Sequence, residues 1–274
     1  MPLTNMRTLI SAAQAKKQAV GAFSVSSIEM ICGVLRAAEA LQAPIILQVA
    51  QARLETTPLP ILGKAMLAAA ELACVPTAVH LDHGLTLDCI RQALDLGFTS
   101  VMYDGSSLSM EENIANTRKV CELAKPYGAA VEAEIGRVGK NEDGGDSPAV
   151  CCVPAEGIFF ARETNVDALA VAIGNAHGIY VGTPSLRFDV LEQISQQCDT
   201  PLVLHGGTGI SDEDFRHCIR LGVHKINIAT ANFIAAAQAA HAAAQTDYFD
   251  MSRQMTKAVE RISDHHIRVF AGMN

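Results

Sequence analysis

Short apolar runs rich in β-branched residues alternate along the chain with longer stretches whose apolar positions recur at helical spacing. The runs predict strands over 20–25, 44–49, 75–81, 100–103, 129–134, 168–172, 201–205 and 225–228. Between and after them the spacing predicts helices over 27–41, 61–74, 86–96, 110–127, 155–164, 185–197, 211–221 and 230–244. Eight βα units with no linker between halves are the pattern of one (β/α)8 TIM barrel spanning 1–274. A doubly wound sheet is the competing arrangement, with fewer strands and its site at a switch point. A last helical stretch, 252–270, falls beyond the eighth unit and is expected to pack outside the barrel or against another subunit. Residues 136–154 break the rhythm: Gly136, Gly139, Gly144 and Gly145 are mixed with Glu142, Asp143 and Asp146. Such a loop is either a mobile lid over a site or a tolerated insertion, and the lid is favoured.

On this fold the side chains that do chemistry stand at strand C-termini. The predicted ends carry Asp82 and His83 (third strand), Asp104 (fourth), Glu132 and Glu134 (fifth), His205 (seventh) and Asn227 (eighth), with His177 shortly after the sixth. His83, His177 and His205 are each followed by glycine. One histidine so placed is ordinarily a hydrogen-bonded structural residue; three at one rim point to a shared metal site. Imidazole ligation with an open position suits catalytic rather than structural zinc. His80 shares a strand face with Asp82 and is either an orienting partner or a core residue. The stretch His205-Gly206-Gly207-Thr208-Gly209, between a strand and a helix, offers amides and a hydroxyl to a phosphate. Thr230 either adds a hydroxyl or caps the following helix.

Composition narrows the partners. Hydrophobic residues make up 49% and charged residues 18%, enough for a large core. A net charge of −8 without a basic run argues against nucleic acid, while local amides can still bind an anionic small substrate. The eight cysteines form no Cys-x-x-Cys pair and fit reduced thiols of a cytoplasmic protein; adjacent Cys151 and Cys152 are the pair to test for redox reactivity. Residues 1–17 lack an apolar signal core and no stretch reaches membrane-spanning length, so no membrane role is expected.

Several stretches together resemble the class II, zinc-dependent ketose-bisphosphate aldolases. They are Gly21-Ala22-Phe23, His80-Leu81-Asp82-His83-Gly84, Val101-Met102-Tyr103-Asp104-Gly105-Ser106 and Val131-Glu132-Ala133-Glu134-Ile135-Gly136. Ala172-Ile173-Gly174-Asn175-Ala176-His177-Gly178, the 205–209 stretch and Lys225-Ile226-Asn227-Ile228-Ala229-Thr230 complete the set, in order, over almost the whole chain. Ala229 is similar to the tagatose-bisphosphate type, where one fructose-bisphosphate branch has aspartate. The resemblance implies zinc held by His83, His177 and His205, with Asp104 and Glu134 at an alternative metal position. It implies Asp82 as the acid that protonates the aldehyde oxygen, and Glu142 as the base that exchanges a proton with the carbanionic carbon. Gly178, Gly206, Gly207, Thr208, Asn227 and Thr230 would bind the dihydroxyacetone phosphate half, with a monovalent cation (Na+ or K+) held by nearby carbonyls. The implied partners are a phosphorylated sugar, or dihydroxyacetone phosphate plus an aldehyde, and further copies of the chain in a homodimer or homotetramer.

The chemistry agrees with a metal. Aldol cleavage leaves an electron pair beside a ketone, stabilised either through a lysine iminium or by a Lewis-acid ion. The sixth strand has no lysine, and Lys225 begins its predicted strand rather than ending it.

Departures from the family pattern cluster on one task. Ser24 stands where relatives usually have asparagine, Ala50-Gln51-Ala52 replaces a small hydroxyl-and-glycine turn, and Phe249 replaces the arginine used on a distal phosphate. The 139–142 stretch lacks one glycine and one acid. The expectation is an aldehyde half without a second phosphate, or a different sugar. Two rivals are a metal-dependent hydrolase on the same barrel and a non-catalytic sugar-phosphate-binding or assembly subunit. The hydrolase would carry a His-x-His pair where this chain has Phe23-Ser24-Val25.

Overall fold

A computed structural model describes residues 2–141, 149–180 and 182–273. The chain runs α1 (Met6–Ala15), β1 (Val20–Ser24), α2 (Ile28–Ala40), β2 (Ile45–Ala50), α3 (Leu59–Leu72), β3 (Thr77–Gly84), α4 (Leu87–Leu96), β4 (Ser100–Tyr103), α5 (Met110–Ala124) and β5 (Ala130–Ile135). It continues β6 (Gly139–Asn141), α6 (Pro154–Thr164), β7 (Ala168–Val171), β8 (Ala176–Gly178), α7 (Phe188–Ser195), β9 (Leu202–Leu204), α8 (Asp212–Arg220), β10 (Val223–Ile228), α9 (Thr230–Ala242) and α10 (Tyr248–Ala271). Eight parallel strands close in the order β1-β10-β9-β7-β5-β4-β3-β2, the (β/α)8 barrel that the alternation predicts. Polar side chains start the helices: Ser27, Thr86 and Ser211 each accept an amide N–H of the first turn, and Ser109 with Glu112 closes a capping box.

Side chains alternate along each strand, so every second residue enters the barrel and the interior is filled in layers. The lowest layer is apolar and small: Ala22, Ile46, Ala78, Met102, Ala130, Ala168 and Val203 pack together. Two residues further along their strands come Ser24, Gln48, His80 and Glu132, and Lys225 joins them from β10 through its ion pair with Glu132; all are buried and all polar. Asp82, Asp104, Glu134, His205 and Asn227 form the uppermost layer, at the C-terminal mouth. The barrel is therefore dry below and progressively polar above.

Four elements depart from the sequence pattern: α1, the strands β6 and β8, and α10. No element is predicted within 1–17, yet α1 plugs the lower end, burying Met6, Leu9 and Ile10 against the apolar layer. Its 6, 9, 10, 13 spacing and the Asn5 cap are the signal for it. Within 136–154, residues 139–141 are strand β6, which pairs in parallel with β8 and sets Lys140 beside His177. α10 begins before its predicted start and runs along the barrel wall beside α2. Ser252 Oγ donates to Glu29 Oε1 (3.0 Å) at the upper rim, and the Phe270 carbonyl accepts from Ala19 N (3.0 Å) at the lower one.

Candidate active site

β3 delivers the central pair. Asp82 points into the barrel, and the chain then turns so sharply that His83 takes a left-handed φ of 43°. That conformation is uncommon for a residue with a Cβ and swings the imidazole over the mouth. β8, held by β6, presents His177; the end of β9 presents His205. The three rings meet edge-on, with centroids 4.8 Å (83–177), 4.7 Å (83–205) and 6.0 Å (177–205) apart. One nitrogen from each lies within 4.8 Å of the others, and a second group at the same spacing joins His83 to Asp104 and Glu134.

The surroundings explain which groups carry protons. Burial drives His177 and His205 well below the ordinary imidazole range, with repulsion from a protonated His83 next. Both are thus neutral, as metal ligands must be. Desolvation also acts on the half-buried His83, but Asp82 and a 2.8 Å hydrogen bond from Nδ1–H to Asp104 overcome it and raise the imidazole to about 10. Asp104 in turn is held low, against burial, by that bond and by Ser106. Glu134 is pushed up to about 8 by burial and by the negative charge of Asp104. Its Oε1 accepts from Val138 N, while Oε2 is buried with no hydrogen-bond partner and lies 3.6 Å from His205 Nδ1. Nitrogen donors facing one another, an orphaned carboxylate oxygen and a cluster of acids that holds a proton on imidazole all fit a divalent cation.

Asp82 lies below the rings. Its two oxygens accept from Gln48 Nε2 (3.0 Å) and Asn227 Nδ2 (3.1 Å), and Gln48 Nε2 also donates to Ser24 Oγ (3.1 Å). Gln48, Lys225 and the true place of Glu132 escape a reading that looks only at strand ends. Their signal is a polar residue two positions below a rim residue within an apolar run. Lys225 is the third residue of β10, so it faces the barrel interior rather than opening the strand, and its ammonium is ion-paired to Glu132. Glu132 sits beneath His205, not on the rim. His80 bonds Ser100 Oγ at 2.9 Å and stands 3.7 Å from Glu132, without a bond to Asp82.

Gly178, Gly206, Gly207, Thr208, Asn227 and Thr230 line one cleft together with Asp82, His177 and Ala229. Gly206 cannot be another residue without movement: φ is 63° and a Cβ would stand 2.2 Å from the Ala176 carbonyl oxygen. Tyr180 pins the same approach, accepting from Ala176 N and donating to Gly206 O, both 2.9 Å. Thr230 is not the cap of α9; that position is Ala229, and Thr208 Oγ1 accepts the Ala231 N–H instead (3.0 Å). Glu142 lies outside the described residues. His217, His224, His265 and His266 pair with Phe188, the Gln18 carbonyl, Asp212 and the Ile262 carbonyl, away from this cleft. Burial lifts the Cys152 thiol to about 12, above the ordinary thiol range. Among the described residues no helix is long and apolar enough to cross a membrane.

Residues 4–274 match the family model described as fructose-bisphosphate aldolase class-II. The chain is 38% identical to a probable fructose-bisphosphate aldolase of Bacillus subtilis (strain 168), covering 96% of this chain and 95% of that one. It is 40% identical to a 6-phospho-5-dehydro-2-deoxy-D-gluconate aldolase of Halalkalibacterium halodurans, over 84% and 81% of the two chains. Among solved structures it is similar to the YdjI aldolase of Escherichia coli K12, with a TM-score of 0.89, 33% identity and 98% and 97% coverage.

Proposed function

The chain belongs to the class-II fructose-bisphosphate aldolase family and is an aldolase, a carbon–carbon lyase; from that premise we propose a zinc-dependent enzyme that cleaves and forms a ketose 1-phosphate. The products of cleavage are dihydroxyacetone phosphate and an aldehyde without a second phosphate. The observation that carries this reading is the convergence of His83, His177 and His205 beside Asp82 and above a glycine cleft.

Each residue has a task in that reaction. His83, His177 and His205 would hold the zinc, with Asp104 and Glu134 as the alternative position. Zinc, when bound, supplies Lewis acidity to the ketone oxygen. The amides around Gly178, Gly206 and Gly207, with the Thr208 and Thr230 hydroxyls, bind the phosphate. In the direction of synthesis Asp82 gives its proton to the aldehyde oxygen; in cleavage it takes that proton back from the hydroxyl. Gln48 and Asn227 hold its oxygens in place for both. Exchange of the proton at the carbanionic carbon is assigned to Glu142, and a monovalent cation to carbonyls near the phosphate. A homodimer or homotetramer in the cytoplasm completes the reading.

The distal side supports a single phosphate. Ala50 has no polar group to offer beside Asp82, and Phe249 is 71% exposed one turn before the α10 contact with α2. Arg253 is bonded to Asp250 of its own helix. Arg53, on the turn after β2, lies 6.0 Å from the centre of the Phe233 ring. Steady-state kcat/KM for fructose and tagatose 1,6-bisphosphates against ketose 1-phosphates tests the reading. Equal or better turnover of the 1-phosphates is expected. A preference of more than about tenfold for the bisphosphates, the value of one arginine–phosphate contact, would refute it and make Arg53 the residue to mutate next.

A further inference from the structure

We infer that Lys225 is a positioning residue that links the metal cradle to the acid: one buried ammonium sets the His205 ring through Glu132 and the Asp82 carboxylate through Asn227. This rests on the aldolase reading for the roles of those two ends, but its geometry stands by itself. Lys225 Nζ lies 2.9 Å from Glu132 Oε2 and 2.7 Å from Asn227 Oδ1, and lysine and glutamate are fully buried. The strands concerned, β5 and β10, are separated in the barrel by β7 and β9, so the ion pair spans the interior.

Each contact has only one way to be made. An ammonium has donors and no acceptor, so the Asn227 atom facing it must be the oxygen. That choice turns the Asn227 NH2 toward Asp82 Oδ1, 3.1 Å away. The reversed amide would set nitrogen against ammonium and oxygen against carboxylate, unfavourable at both ends. On the other arm, Glu132 Oε1 lies 2.8 Å from His205 Nε2, and a carboxylate there requires Nε2 to carry the ring proton. The lone pair is then on Nδ1, which is the nitrogen 2.9 Å from His83 Nε2 and facing the cradle. His80, fixed by Ser100, stands 3.7 Å from the same Glu132 oxygen that Lys225 pairs with and limits where the carboxylate can go. A buried ion pair needs its remaining donors and lone pairs satisfied whatever its role. Here the groups that satisfy them are the side chain holding Asp82 and a ring of the metal cradle, so the pair cannot be disturbed without disturbing both.

Lys225→Met keeps the length and removes the charge. At saturating zinc its kcat should fall at least tenfold with KM for the ketose phosphate little changed, because the acid is misaligned. Its zinc affinity, read by competition with a chromophoric chelator, should fall by about 10–100-fold, the usual cost of losing an outer partner of a ligand. Lys225→Met leaves Glu132 unpaired and risks misfolding, so Lys225→Met/Glu132→Gln, with no stranded charge, is measured beside it. The double variant should melt near the wild type yet show the same two losses. Zinc affinity and saturated kcat within twofold of wild type in the folded variants would overturn the inference. A wild type that cleaves no ketose phosphate would sink the aldolase reading instead. The zinc competition would still decide the positioning role, unchanged affinity counting against it.

Discussion

The two sides of the barrel mouth are built differently. Toward β3, β9 and β10, the central rim groups are held by buried polar partners: Asp82 by Gln48 and Asn227, His205 by Glu132. Toward β1 and β2 the support thins. Ser24 is engaged by Gln48, Ala50 carries no functional group, and the tip of α10 shows Tyr248 and Phe249 to solvent. Groups held from below in a dry interior cannot change singly, since each loss strands a partner. Groups on turns and helix tips can change freely. The chemistry is therefore expected on the first side and the choice of aldehyde on the second.

Four substitutions break or sharpen that contrast. His83→Ala, on the supported side, should abolish the zinc site and lower turnover by about 10³-fold or more, beyond the ~10–100-fold of an outer partner. Metal analysis and a dihydroxyacetone phosphate assay read both effects, and retained turnover in the zinc-free variant would dissolve the contrast. Asp82→Asn should lower kcat by about 10²–10³-fold, in the range of general acid–base catalysis, while zinc binding stays within about threefold. A parallel loss of zinc would mean that Asp82 is a ligand rather than the acid. Gly206→Ala forces a Cβ against the Ala176 carbonyl at φ 63°. It should cost about 1–3 kcal/mol, seen as a melting temperature several degrees lower, and raise KM for the phosphorylated substrate. An unaltered KM would separate the glycine cleft from phosphate binding. Phe249→Arg, on the other side, should leave zinc and kcat alone and shift selectivity toward bisphosphates by about tenfold at most. A larger loss of turnover with 1-phosphates would show that the helix tip takes part in the common chemistry.

Much of this was legible in the sequence. The alternation of runs yields the closed barrel because period and length separate strands from helices. His83, His177, His205, Asp104 and Glu134 are visible because polar residues ending apolar runs are out of place in a core. The layer beneath is harder to read. Gln48 and Lys225 sit mid-strand, where a polar residue is usually a sign of an exposed face, and only closure of the barrel turns them inward. α1 is hidden differently: its apolar spacing and Asn5 cap are present, but ten residues are too few to hold a helix until the lower end of the barrel is there to cover. The pairing of β6 with β8 joins segments far apart in the chain through three residues each, too short for periodicity to register.

The most direct test is to locate the ion. Crystals of the enzyme grown with zinc, measured at the zinc absorption edge, should show one anomalous peak bonded to His83, His177 and His205. Treatment with a chelator should remove the peak together with dihydroxyacetone phosphate release, and added zinc should restore both. Undiminished release from metal-free enzyme, or a peak bonded to none of the three imidazoles, would contradict the account.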